Sequence, residues 1–223
     1  MPKDIQEIPQ NYIRINGDSF QSSKVSITRD KFSDYSGAEG YDFSFVNVEI
    51  TKGGRRKTIR MFSKSIDPSL GVVSTQEILK RHHNLKKIGF PVPNTLRISE
   101  DGLHILMTDM TRNGQFEIID RHNLDSSLQI NNLDEVKDEV LKIAKKGEEN
   151  DYIFGYDAYA VVVDKKTNLG HVIILDIGSG IHNQNRLQSM YQENQTQSFK
   201  DYVKQISQNS AETFIGALEL RNN

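Results

Sequence analysis

The chain contains no cysteine, and that absence removes whole classes of chemistry. Disulfides, zinc–thiolate sites and cysteine nucleophiles are all excluded. It also lacks a charge excess of either sign: 28 Lys and Arg stand against 30 Asp and Glu, for a formal net charge of −2. A dedicated nucleic-acid binder would show a basic stripe, so no nucleic-acid partner is expected. No apolar run reaches the length that spans a bilayer, and Met1-Pro2-Lys3-Asp4-Ile5-Gln6 has no apolar signal segment. The expectation is a soluble, cytoplasmic protein without a membrane partner. Repeats and low-complexity tracts are absent as well. What remains is 223 residues, enough for one large domain or two small lobes.

The first third alternates as strands do. Lys24–Thr28 alternates, and Asp42–Ile50 sets Phe43, Phe45, Val48 and Ile50 against a core with one phase change between them. Gly53-Gly54 marks a hairpin turn into a third strand, Lys57–Phe62, so an antiparallel sheet is predicted. Ser74-Thr75-Gln76-Glu77 has capping-box spacing, and Ile78, Leu79, His82, Leu85 and Ile88 continue with helical period until Gly89 and Pro91 end the helix. Two further strands follow, Asn94–Ile98 and Leu103–Met107, joined at Glu100-Asp101-Gly102. Gly114–Asn132 shows little period. Asp134 is predicted to cap a second helix with Val136, Val140, Ile143 and Ala144 on one face. Tyr159–Val163, a turn at Lys165–Gly170, and Val172–Leu175 then form a hairpin, and terminal helices begin near Phe199. The order predicts an α+β protein: an antiparallel β-rich lobe of about five strands with one helix (1–110), then a mainly helical lobe carrying the hairpin (111–223).

The hairpin ends on Leu175-Asp176-Ile177-Gly178. A carboxylate at the mouth of a buried strand, followed by a Gly turn, suits a metal ligand held on a rigid element. The same residues also make an ordinary turn. A second carboxylate, Asp157, precedes the hairpin in Phe154-Gly155-Tyr156-Asp157-Ala158.

With these residues in this order, the chain resembles the protein-kinase-like fold in its aminoglycoside-phosphotransferase-like branch. The resemblance lies in Glu77 through Gly89-Phe90-Pro91-Val92-Pro93, in Ile105–Met110, and in Val161–Asp164 followed by Val172–Gly178. It implies a two-lobed fold and an ATP- and magnesium-dependent phosphotransferase acting on a small-molecule or protein acceptor. It further implies roles. Asp176 stands at the Asp-Phe-Gly aspartate as a magnesium ligand. Asp157 would be the base that orients an acceptor hydroxyl, or a second metal ligand, facing a common cleft with Asp176. Arg60 or Lys64 would hold nucleotide phosphates and pair with Glu77, whose competing role is the helix cap. Gly37 and Gly40 would let the backbone approach phosphates, unless they only serve a turn, and Thr108, Asp109 and Met110 would offer hinge backbone groups to adenine.

The chain departs from the family at the catalytic loop. Its aspartate position falls on Gly155 and its asparagine position on Ala160. The alternative is therefore a catalytically impaired kinase-like module that binds nucleotide or a partner.

Overall fold

The computed structural model describes residues 12–13, 25–28, 43–52, 55–65, 74–99, 104–112, 114–121, 124, 126–178, 180–182, 187–188, 191 and 198–222. The fold is α+β, and the chain divides into two compact units. The first takes in the described residues up to Asn84 together with Pro93–Asp109; the second takes in Leu85–Val92 and the described residues from Met110 onward.

The first unit is built on one sheet. Its strands are β1 (Tyr12–Ile13), β2 (Val25–Thr28), β3 (Phe43–Lys52), β4 (Arg55–Ser65), β5 (Leu96–Ser99) and β6 (His104–Thr108), in the spatial order β1-β5-β6-β4-β3-β2. The expected five are present. The sixth, β1, joins by a parallel pairing with β5, Tyr12 opposite Ile98. The remaining pairings are antiparallel, and β3 with β4 forms a long hairpin from Phe43↔Lys64 to Lys52↔Arg55. Along β4 the period of two is visible in burial: Met61 and Ser63 are buried, while Arg60, Phe62 and Lys64 are half-exposed.

Helix α1 (Thr75–Ile88) begins and ends as its sequence requires. Ser74 Oγ accepts the Glu77 N–H at 3.2 Å, which satisfies one of the orphan donors of the first turn. At the other end, Gly89 N–H donates to Lys86 O and Phe90 N–H to Leu85 O, with Gly89 at φ +86°. That pair of bonds is a Schellman closure, and the left-handed conformation it needs is cheap only for glycine. Inside the helix His82 is buried, and its Nε2–H donates to Pro93 O at 2.6 Å.

The second unit is less helical than the sequence suggests. Helices α2 (Leu133–Glu149) and α3 (Phe199–Asn222) are accompanied by two small antiparallel sheets. One holds β7 (Phe116–Ile119), β9 (Tyr159–Asp164) and β10 (Gly170–Ile174) in the order β10-β9-β7; the other pairs β8 (Ile153–Phe154) with β11 (Ile181–His182). Strand β7 lies in the stretch whose sequence shows little period.

Val136, Val140, Ile143 and Ala144 are buried along α2 as their spacing predicts. Each of the three larger side chains contributes about 1.5–3 kcal/mol by leaving water. Asp134 is not the cap. The N-cap residue is Asn132, and Asp134 lies in the first turn, where its charge suits the helix dipole. Asn132 makes no capping bond, because its amide is spent on β10: Oδ1 accepts from Gly170 N at 2.7 Å and Nδ2 donates to Gly170 O at 3.0 Å. The chain end is one helix, α3, and it buries Ser207, Ala211, Phe214 and Leu218 at three- and four-residue intervals.

An aromatic row runs through this core. Phe90 meets Phe154 edge-on at 5.3 Å, Phe154 meets Tyr159 at 6.1 Å, and Tyr159 stacks on Phe214 at 5.6 Å. The Tyr159 hydroxyl is buried without a hydrogen-bond partner. Burial, with the nearby negative charge of Glu148, raises its phenol well above the ordinary range. Tyr159→Phe keeps the ring and removes the unsatisfied group, so it should raise stability by about 1 kcal/mol and Tm by about 2–4 °C. A lower melting temperature would show that the hydroxyl has a partner after all.

Candidate functional site

Two groups of the expected site residues come together, one in each unit. In the second unit the site is the open end of the β9–β10 hairpin. The antiparallel register runs from Gly170↔Val163 to Ile174↔Tyr159, and Asp157 and Asp176 each lie two residues beyond its last pair. The two strands stay in contact past their formal ends, since Leu175 N–H donates to Ala158 O at 2.8 Å. Asp157 lies in a single 3-10 turn, Tyr156–Ala158, which turns the chain into β9.

Gly180 lets the returning chain lie against that turn. Its N-terminal neighbourhood is tight: a Cβ there would stand 2.9 Å from the Asp176 carbonyl oxygen and 3.1 Å from Ala158. Gly180 O in turn accepts the Gly155 N–H at 2.7 Å, which continues the β8·β11 pairing and ties the Asp157 segment to the Asp176 segment. The segments bearing the two carboxylates are thus cross-linked by backbone bonds on both sides.

The carboxylates are held differently. Asp176 Oδ1 accepts the Gly178 N–H at 3.0 Å, an Asx turn that fixes the side chain at the strand mouth. Asp157 Oδ2 accepts from Arg121 Nη1 at 3.3 Å, and the same nitrogen reaches Tyr156 Oη at 3.4 Å. The guanidinium also lies 5.5 Å from the Tyr156 ring centre, in cation–π range. Arg121 is the residue that sequence reasoning missed. It stands 36 positions before Asp157, two residues past the end of β7, and nothing in its local spacing points to the hairpin.

In the first unit, Arg60 Nε lies 3.5 Å from Asp109 Oδ2, with the Asp109 carboxylate almost fully buried. The β4–β6 ladder explains the pair. Met61 stands opposite Thr108, so the next places along bring Arg60 and Asp109 across from each other. Glu77 is not brought to Arg60 or Lys64. Its carboxylate pairs with Arg81 Nε one turn along α1, at 3.4 Å. Lys64 lies on the same half-exposed face of β4 as Arg60, opposite Ile105.

The hinge residues are partly committed. Thr108 N–H donates to Thr95 O at 3.1 Å, and Thr108 Oγ1 accepts the Thr95 N–H at 2.9 Å. Met110 begins the second unit. Gly37 and Gly40 lie outside the described residues.

The donor set at the hairpin mouth is made of carboxylate oxygens, the hard ligands that magnesium takes, usually one or two of them alongside phosphates and water. Among the described residues no group of three or more His, Cys, Asp or Glu side chains gathers around one point. Two carboxylates are of the type that serves where phosphates and water complete the shell. Among the described residues no helix is long and apolar enough to cross a membrane. The chain matches no protein-family model, and no curated protein matches it in sequence.

Proposed function

We propose that the chain is an ATP- and magnesium-dependent phosphotransferase of the kinase-like kind, transferring phosphate to a hydroxyl acceptor. The observation that carries this reading is the pair of backbone bonds, Leu175 N–H to Ala158 O and Gly155 N–H to Gly180 O, that ties the Asp157-bearing segment to the Asp176-bearing one. The order of the first unit after the short β1 supports it too: the antiparallel strands β2, β3 and β4, one helix, then two further strands. That is the order on which the family resemblance rests.

Asp176, with Asp157 beside it, would hold magnesium, which when bound neutralises charge on the nucleotide phosphates. The Asx turn to Gly178 keeps the Asp176 carboxylate in one orientation, so little reorganisation accompanies binding. Asp157 would accept a hydrogen bond from an acceptor hydroxyl and take its proton as the acceptor oxygen bonds to the γ-phosphorus and the bond from that phosphorus to the departing ADP oxygen breaks. Positioning of this kind supplies most of what phosphoryl transfer asks of a protein.

A second reading, a catalytically impaired binding module, is favoured by a different observation. Arg60, Glu77 and Asp157 each already face a local ion-pair partner, respectively Asp109, Arg81 and Arg121. Ala160 also stands where the family has its asparagine. ATP hydrolysis followed with and without magnesium separates the two. The enzyme is expected to release phosphate only with the metal present. A thermal shift with ATP and magnesium but no phosphate release selects the module.

A further inference from the structure

The geometry points to Arg121 as a phosphate-holding cation beside Asp157, one that exchanges this carboxylate for the anion. Family likeness directs attention to β4 for this cation. There, Arg60 is set against Asp109, a carboxylate only 5% exposed, and a buried carboxylate deprived of its cation is costly. Arg121 is as exposed as Arg60, and what differs is the carboxylate it faces. Its side chain is 32% exposed and that of Asp157 is 22% exposed, so water can replace either partner.

The described contacts of Arg121 to Asp157 at 3.3 Å and to Tyr156 at 3.4 Å both use one nitrogen, Nη1, rather than a bidentate fork. The half-exposed Tyr156 ring carries the guanidinium on one side and would keep it in place while its N–H groups turned from a carboxylate to a phosphate. A planar fork of donors matches phosphate oxygens, which is the reason arginine is favoured for such contacts. Leaving Asp157 for a phosphate would also release that carboxylate for an acceptor hydroxyl. One movement would then load the anion and unmask the base.

That the anion is a nucleotide phosphate rests on the phosphotransferase reading; that Arg121 holds a phosphate-type anion does not. Inorganic pyrophosphate is therefore the first probe, titrated calorimetrically into the full chain. Arg121→Ala should weaken its binding by roughly tenfold or more, with Arg121→Lys between the two. Asp157→Asn should tighten it by about three- to fivefold, since the anion no longer competes with a carboxylate. The gain must vanish in the Asp157→Asn/Arg121→Ala double variant, a non-additivity that a purely structural role for Arg121 would not give. Lys142→Ala, an exposed cation on α2, should leave binding unchanged.

Equal pyrophosphate affinity in wild type and Arg121→Ala overturns the assignment, as does failure of both wild type and Asp157→Asn to bind at millimolar concentration. Arg121-dependent pyrophosphate binding without ATP turnover upholds the assignment and removes the phosphotransferase. ATP turnover whose kcat and KM are untouched in Arg121→Ala does the reverse.

Discussion

Asp176→Asn is expected to remove magnesium-dependent ATP turnover while leaving the fold intact. The two halves of that expectation come from different atoms of the same side chain. The Asx turn uses Oδ1 as an acceptor for the Gly178 N–H, and an asparagine amide oxygen accepts the same bond. Melting temperature should therefore stay within about 1 °C of wild type, a shift matching a stability change of a few tenths of a kcal/mol. What the amide lacks is charge. A metal held by one or two carboxylates depends on each of them, and several kcal/mol of transition-state stabilisation corresponds to a loss on the order of a thousandfold in kcat. Asp157→Asn should behave differently. Loss of a group that receives a proton only as the reaction proceeds lowers kcat by roughly 10²–10⁴-fold without weakening nucleotide binding. Single-turnover phosphate release and ATP titration, run on both variants, give the comparison. Full turnover in Asp176→Asn would end the metal-ligand assignment.

What could be read from the chain divides along the range of the interactions. Helix α1 was legible at both ends because Ser74 and Gly89 act on backbone groups three to five residues away. The α2 face and the β9–β10 hairpin were legible for the same reason: Val136, Val140 and Ile143 repeat with the helix, and the hairpin closes over a short turn. Strands β1 and β7 were not. Each is short, and each exists because a partner far along the chain offers an edge, Ile98 for Tyr12 and Asp164 for Phe116. Asp134 was misjudged as a cap because the sequence shows a good capping residue but not that Asn132 is claimed by Gly170.

The candidate site follows the same rule. Asp157 and Asp176 could be named because one local hairpin carries both. The ion partners could not be named. Arg121 arrives from β7, a strand whose existence depends on β9, so its approach to Asp157 is a consequence of tertiary pairing alone. Arg60 was singled out for its type and position on β4, yet its partner is set by the β4–β6 ladder rather than by α1. A charged side chain in sequence announces a need for a partner. Which partner answers is decided by the fold.

The largest effect on stability is expected at Phe154, and it reaches the site through the backbone. Phe154 is fully buried, with Phe90 at 5.3 Å on one side and Tyr159 at 6.1 Å on the other. Helix α2 comes so close that it must present a glycine. A Cβ on Gly147 would fall 2.8 Å from the Phe154 ring and 2.6 Å from the Tyr152 carbonyl oxygen. With a backbone that near, the surroundings have little freedom to collapse into a vacated space, so the cavity term adds to the lost transfer energy. Phe154→Ala should cost about 3–5 kcal/mol, a third or more of the stability of a typical domain. Because Phe154 belongs to β8 and is followed at once by Gly155, whose N–H holds Gly180, loosening it should also unfasten the Asp157 segment from the Asp176 segment. Denaturant unfolding gives the stability change, and amide exchange at Gly155 gives the local one. The exchange should accelerate by more than the global loss alone would produce at a remote core amide such as Val140. A cost under about 1 kcal/mol would mean that the aromatic row carries little of the packing, contrary to the usual penalty for truncating a buried aromatic.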